Sequence, residues 1–201
     1  MIEIRMHGRG GQGAVIACKI LSLAAYKEGK YAQSFPAFGV ERRGAPVAAF
    51  TRIDNRPILI HSEIYQPDHL VVLDTSLFLS VPILSGLKSG GTVLINSPSA
   101  PEQFKIPPTF QVATIDAGAV AAQHGLGTRA TPIVNTAILG AFARLTGIVS
   151  IESIVQAIEE SVPIKAQENM AATMQAYDLL QTEIPVADTW NQLHSTRESK
   201  I

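Results

Sequence analysis

The 201-residue sequence predicts a single α/β layered domain. Three observations lead there. Strand-like and helical segments alternate in the first part of the chain, and helical periodicity dominates the last part. A glycine-rich turn, Gly8 to Gly13, joins the first strand to the first helix. Two short apolar, β-branched runs, His69 to Leu73 and Phe110 to Ile115, each end at an aspartate, Asp74 and Asp116, as buried parallel strands do.

Taken in order, Ile2 to His7 alternates apolar and polar residues and reads as a strand. From Gln12 to Lys27, Val15, Ile16, Ile20, Leu23 and Ala24 recur at helical spacing, and Gly29 is a helix stop. Tyr31 to Phe35 is a second strand, ended by Pro36. Phe38 to Pro46 is a loop by its glycines and charge. Val47 to Ile53 is a strand, Asp54 to Pro57 a turn, and Ile58 to Ile60 pairs back as a hairpin. Leu77 to Leu87 is read as a helix despite Pro82, and Thr92 to Asn96 as a strand after the Gly90-Gly91 turn. Pro98 to Pro108 is a proline-rich loop. Helices follow over 117–124, 133–146, 151–161 and 167–181. The domain covers 1–182, and the polar, aperiodic residues 183–201 form a C-terminal tail.

Composition narrows the function. The chain is 46% hydrophobic and 16% charged, which allows a large core and leaves apolar surface for a partner. A net charge of −1 offers no electrostatic footprint for nucleic acid. No apolar stretch reaches the roughly 18 residues needed to span a bilayer, and no leader segment is evident, so a soluble cytoplasmic protein is expected. A single cysteine, Cys18, cannot supply a four-thiolate iron–sulfur site and reads as a core residue.

The chemistry-bearing feature is the turn. Gly8, Gly10 and Gly13 fit the G-x-G-x-x-G spacing, in which glycines allow a tight turn and a close ligand, and the helix N-terminus favours an anion. Nicotinamide dinucleotide binding needs an acidic residue at the end of the second strand, but that strand ends Ala32-Gln33-Ser34-Phe35. Two readings of the turn stand: a phosphate cradle, or close packing against sheet or subunit. Arg9, Arg42 and Arg43 can pair with phosphates or with carboxylates across an interface, and the loop holding Arg42 and Arg43 is read first as interface or structure. His7 reads as a hydrogen-bonded strand-end histidine, Asp74 and Asp116 as ligand-edge residues or caps, and Lys165 and Asn169 as a helix-start or interface pair. No catalytic or metal-ligating residue is assigned.

Several segments together point to a family. Gly8-Arg9-Gly10-Gly11-Gln12-Gly13 resembles the G-x-G-G-Q-G signature of the gamma subunit of 2-oxoacid:ferredoxin oxidoreductases. The segments 38–46, 64–74, 135–141 and 165–169 are similar to its later motifs, in the same order. Glu41-Arg42-Arg43-Gly44-Ala45-Pro46 is closer to the pyruvate and branched-chain members than to the 2-oxoglutarate members. Val40 stands where the family pattern has proline, and the chain after Ile184 matches none of it.

The resemblance implies a Rossmann-like layered domain with a mostly parallel sheet, a β-hairpin excursion and a helical C-terminal part. It implies a non-catalytic but required subunit of a complex that oxidises a 2-oxoacid, pyruvate first, with coenzyme A to acyl-CoA and CO2 while reducing ferredoxin. The expected partners are alpha, beta and ferredoxin-like delta subunits, or fused equivalents. Thiamine diphosphate, Mg2+ and iron–sulfur clusters would sit on those partners, because this chain has no Gly-Asp-Gly motif and one cysteine. Gly8, Arg9, Gly10, Gly11, Gln12 and Gly13, with Arg42 and Arg43, are the candidate contacts to coenzyme A phosphates or to a partner. The alternatives are a free-standing nucleotide-binding oxidoreductase and a ligand-free assembly scaffold.

Overall fold

Strand β1 (Ile2–Arg9) buries Ile2, Ile4 and Met6 on one face, and it leads through the glycine turn into helix α1 (Ala14–Lys27). The computed structural model describes residues 1–37 and 42–180. The expectations for Phe38 to Glu41 and for the tail 183–201 lie outside the described residues. Gly29, with φ +76°, stops α1 as expected, its amide bonding the carbonyl of Tyr26.

The chain continues as β2 (Tyr31–Pro36), β3 (Pro46–Asp54), β4 (His69–Val72), β5 (Thr92–Asn96) and β6 (Gln111–Ile115). These form one sheet in the order β2-β3-β1-β4-β5-β6. β1, β4, β5 and β6 are parallel neighbours, while β3 is antiparallel to both β1 and β2. β2 therefore runs in the direction of β1 but two positions away. The β1–α1–β2 unit is split, and β3 fills the gap.

That insertion corrects the expected hairpin. Both edges of β3 are occupied, by β1 and β2, so Ile58 to Ile60 has no edge to pair with and forms no strand. A side chain holds the segment instead. Arg52, 2% exposed, donates to the Glu3 carboxylate at 3.0 Å and to the carbonyls of Ile60 and Glu63 at 3.4 and 3.3 Å, beneath the Phe35 ring. These bonds satisfy a buried guanidinium that would otherwise be costly.

The expected helix over Leu77–Leu87 is also absent. Asp74 caps a 3-10 turn, Thr75–Leu79, and Pro82 lacks the amide needed to continue it. Leu77, Ile83 and Leu87 instead pack on Leu70, Val72, Val93 and Ile95 from the back of the sheet. The remaining helices are α2 (Ala117–Gln123), α3 (Ala137–Thr146), α4 (Ile151–Ser161) and α5 (Ala166–Leu179). With α1 they share the core on the front of the sheet. Helices thus cover one face and irregular chain the other. α3 begins four residues later than its periodicity suggests; Ile133 is tied instead to the end of the preceding turn, its amide bonding the Leu126 carbonyl.

The segments 135–141 and 165–169 meet. Gly140 lies where a Cβ would stand 1.9 Å from the Thr173 carbonyl oxygen, so α3 and α5 cross at close range. The Thr136 hydroxyl donates to Asn169 Oδ1 at 2.7 Å, and Asn169 Nδ2 to the Lys165 carbonyl at 2.8 Å. Among the described residues no helix is long and apolar enough to cross a membrane.

Among the described residues two histidines are buried. His69 lies edge-on to Phe142 with neither ring nitrogen hydrogen-bonded, and His7 accepts from Arg5 Nε at 3.0 Å. Burial pushes both down to about 4, helped at His7 by the Arg5 charge; at His69, Asp68 opposes the shift and Lys88 adds to it. A folded-state value below the unfolded one makes protonation favour unfolding, so this stability is complete above about pH 6.5 and is lost as the pH falls toward 4. The loss is about 1.4 kcal/mol per pH unit per histidine. Urea unfolding between pH 6.5 and 5 should show a slope that His69→Leu roughly halves; an unchanged slope would contradict the burial of His69 in neutral form.

Candidate functional site

The carboxyl ends of the parallel strands place Arg9 and the glycine turn, Asp74, Asn96 and Asp116 along one edge of the sheet, where open α/β sheets take ligands. Asp74 is the hub. Its Oδ2 accepts from Arg9 Nε at 3.1 Å and Gln12 Nε2 at 3.2 Å, and its Oδ1 accepts from the Ser76 amide at 2.9 Å and from the Ser76 hydroxyl. Partial burial raises the Asp74 pKa, but the bonds from Ser76 and Gln12 and the Arg9 charge outweigh it and hold the carboxyl below its usual range.

Gln12 closes the turn. Its Oε1 accepts the Arg9 amide at 2.7 Å while its Nε2 reaches Asp74, a task needing one side chain with both an acceptor and a donor. Arg9 then extends the network, with Nη1 donating to the Gly44 carbonyl at 2.9 Å and Nη2 to the Ser76 hydroxyl at 2.7 Å. The guanidinium read from sequence as a phosphate partner is thus placed within a network of the chain's own groups.

The glycines do separate jobs. A Cβ on Gly10 would lie 2.2 Å from the Arg42 carbonyl oxygen, so the second loop sits directly on the turn. Gly10 donates to the Ala45 carbonyl and accepts from the Gly44 amide, both at 2.9 Å. Gly13 caps α1 in a left-handed conformation (φ +78°), and a Cβ there would meet Asn135 Nδ2 at 2.4 Å. No side chain caps the first turn of α1, which leaves its positive end without a neutralising group of its own.

The result is a cleft of ≈ 740 Å³ walled by Gly10, Gly11 and Gln12 on one side, Arg43 and Gly44 on another, and Asp74, Asn96 and the segment 130–134 opposite. Arg43 lines it, whereas Arg42 contributes its backbone to the Gly10 contact. Gly8 stands behind the turn against Leu73 and Gln12.

Asp116 caps α2, accepting the Ala119 amide at 2.8 Å. Asn135 accepts its neighbour's amide, Thr136, at 3.0 Å, and Lys165 donates to the Gly125 carbonyl at 2.6 Å. Cys18 is fully buried and its thiol is pushed up to about 12, the state of a core residue and not a nucleophile. Sequence reasoning missed Asn96, whose Nδ2 donates to the Leu73 carbonyl at 3.0 Å and whose Oδ1 accepts the Gly118 amide at 3.2 Å, tying the end of β4 to α2. An asparagine directly ending a buried strand was the available signal. It also missed Ser76, the second partner of Asp74.

Comparison with known proteins decides the family. Residues 3–179 match the model described as pyruvate ferredoxin/flavodoxin oxidoreductase. The chain belongs to this family. It is 51% identical, over 89% of its length and 96% of the relative's, to the pyruvate/ketoisovalerate oxidoreductases common subunit gamma of Thermococcus kodakarensis. It is 50% identical to the pyruvate synthase subunit PorC of Methanothermobacter thermautotrophicus, over 89% of its length and 95% of the relative's. The crystal structure of pyruvate oxidoreductase subunit PORC from Thermotoga maritima superposes with a TM-score of 0.75 at 36% identity, covering 90% of this chain and 97% of that one. As a chain of the pyruvate ferredoxin/flavodoxin oxidoreductase family, it carries Gly10, Gly11 and Gln12 in the wall of a cleft, with Gly10, Gln12 and Gly13 each in a distinct contact.

Replacing Gly10 with alanine forces the Arg42 carbonyl away. The expected cost is about 1–3 kcal/mol, read as a drop in denaturation midpoint with an unchanged m-value. Wild-type stability in Gly10→Ala would contradict the close approach.

Proposed function

We propose that this chain is the gamma subunit of a multi-subunit, cytoplasmic 2-oxoacid:ferredoxin oxidoreductase acting on pyruvate, and that the cleft beside the glycine turn receives the phosphates of coenzyme A. The observation carrying the first part is the alignment along 96% of a relative whose own name is common subunit gamma of pyruvate and ketoisovalerate oxidoreductases. For the second, the support is chemical: the backbone of Gly10 and Gly11 and the side chain of Arg43 line one cleft, and the uncapped start of α1 follows the turn directly in the chain.

The division of labour follows from the residues. Thiamine diphosphate with Mg2+ and the iron–sulfur clusters belong on alpha, beta and ferredoxin-like delta partners, since this sequence has one cysteine and no Gly-Asp-Gly. Those groups supply the carbanion and electron chemistry when bound. This chain's part is to hold and orient the thiol substrate, with Arg9, Gln12 and Asp74 fixing the walls and Arg43 facing the anion.

A free-standing nucleotide-dependent oxidoreductase is disfavoured. The strand following α1 is an antiparallel-paired edge strand ending Phe35-Pro36, so no carboxylate stands where a nicotinamide ribose would be held.

In a reconstituted complex, omission of this chain should abolish pyruvate oxidation. Arg43→Ala should raise KM for coenzyme A by about tenfold or more, the loss of one charge-assisted bond, with KM for pyruvate unchanged. An Arg43→Ala variant that assembles in lower yield, with the assembled fraction keeping the wild-type KM for coenzyme A, would support the scaffold reading.

A further inference from the structure

A second cleft, of ≈ 770 Å³, opens beside the first and shares with it Gly127, Thr128 and Ile133. Its character is different. The lining is mostly apolar, and among the described residues its only charged members are two lysines, Lys19 and Lys165, with no carboxylate. Three isoleucines stand at it largely in water: Ile16 at 51% exposure, Ile133 at 47% and Ile164 at 74%.

These isoleucines come from three separate places: α1, the segment before α3, and the connection between α4 and α5. That connection reads Val162-Pro163-Ile164-Lys165, apolar where a free helix–helix connection is ordinarily polar. Lys165 adopts a left-handed conformation (φ 55°), unusual for a residue with a side chain, and its ammonium bonds the Gly125 carbonyl across the cleft. The two walls are therefore braced open from the chain's own groups, with apolar side chains left outward and positive charge at the rim.

We propose that this cleft is the seat of a segment from a partner subunit that presents apolar side chains next to a carboxylate. The apolar side chains cover the three isoleucines, and the carboxylate meets the unopposed lysine charge. A segment seated there abuts the shared wall of Gly127, Thr128 and Ile133, so subunit docking and the shape of the neighbouring polar cleft are linked. The inference rests on the reading of this chain as a subunit.

The test uses the full-length chain in the purified complex. Ile164→Asp and Lys19→Glu alter exposed side chains, so the isolated chain should melt as the wild type does. Each should weaken assembly by about tenfold or more, while Leu79→Asp, at a still more exposed site outside the cleft (92%), should not. A photo-cross-linking residue at position 164 should then capture a partner-subunit peptide in which Asp or Glu neighbours apolar residues. Wild-type assembly by both cleft variants overturns the proposal while leaving the subunit reading intact. So does a cross-link to a second copy of this chain, to its own residues 181–201, or to nothing. Failure of the wild-type chain itself to join any complex overturns the subunit reading and this surface with it.

Discussion

One carboxylate organises the ligand edge of this protein. Asp74 ends the strand next to β1 and accepts from the turn before it, the turn after it and, through Arg9, controls the loop beyond β2. Arg9 closes β1 and Ser76 belongs to the short 3-10 turn, while Gln12 and Gly44 stand in irregular chain. Loops are ordinarily the loosest part of an α/β domain, yet here three of them share a single charge-assisted network. The steric side of the same constraint is glycine: the second loop rests on Gly10 and Asn135 rests on Gly13, leaving no room for a Cβ at either. Electrostatics sets the spacing, and the absence of side chains permits it.

The sheet order explains why the cleft lies there. Inserting β3 between β1 and β2 makes β1 the boundary between a parallel half and an antiparallel half. The chain leaves β1 toward α1 on one side of that boundary while β4 continues the parallel half on the other. A crevice between their carboxyl ends is the geometric result. With the helices all on the front face, the back is closed by the 3-10 turn and loops, pinned by Arg52 and by Arg5, which donates to the carbonyls of Ile83 and Ser85 at 2.8 and 2.6 Å.

Much of this was legible in the residues. α4 is readable at both ends because Ser150 supplies a side-chain cap to the Ser153 amide and the apolar spacing is strong. β4 is readable because a strand buried on both faces must be apolar throughout. What failed was non-local. Ile58 to Ile60 has strand composition, but whether a strand forms depends on a free edge, and β1 and β2 had taken both edges of β3. Leu77 to Leu87 has helical spacing, but Pro82 and the need to cover the back of the sheet favoured turns. At the site, the turn is legible and its allocation is not: Arg9 reads in sequence as a partner for phosphate or an interface, and only the fold brings Asp74, 65 residues away, against it.

The central claim is that the walls fixed by Asp74 form a phosphate-binding cleft, used within an assembled oxidoreductase. Backbone amide hydrogen exchange on the intact complex, with and without coenzyme A, tests this most directly. Coenzyme A should slow exchange at residues 10–12 and 43–44, where the glycine turn and the second loop line the cleft. Coenzyme A binding that leaves exchange at those residues unchanged would contradict the account.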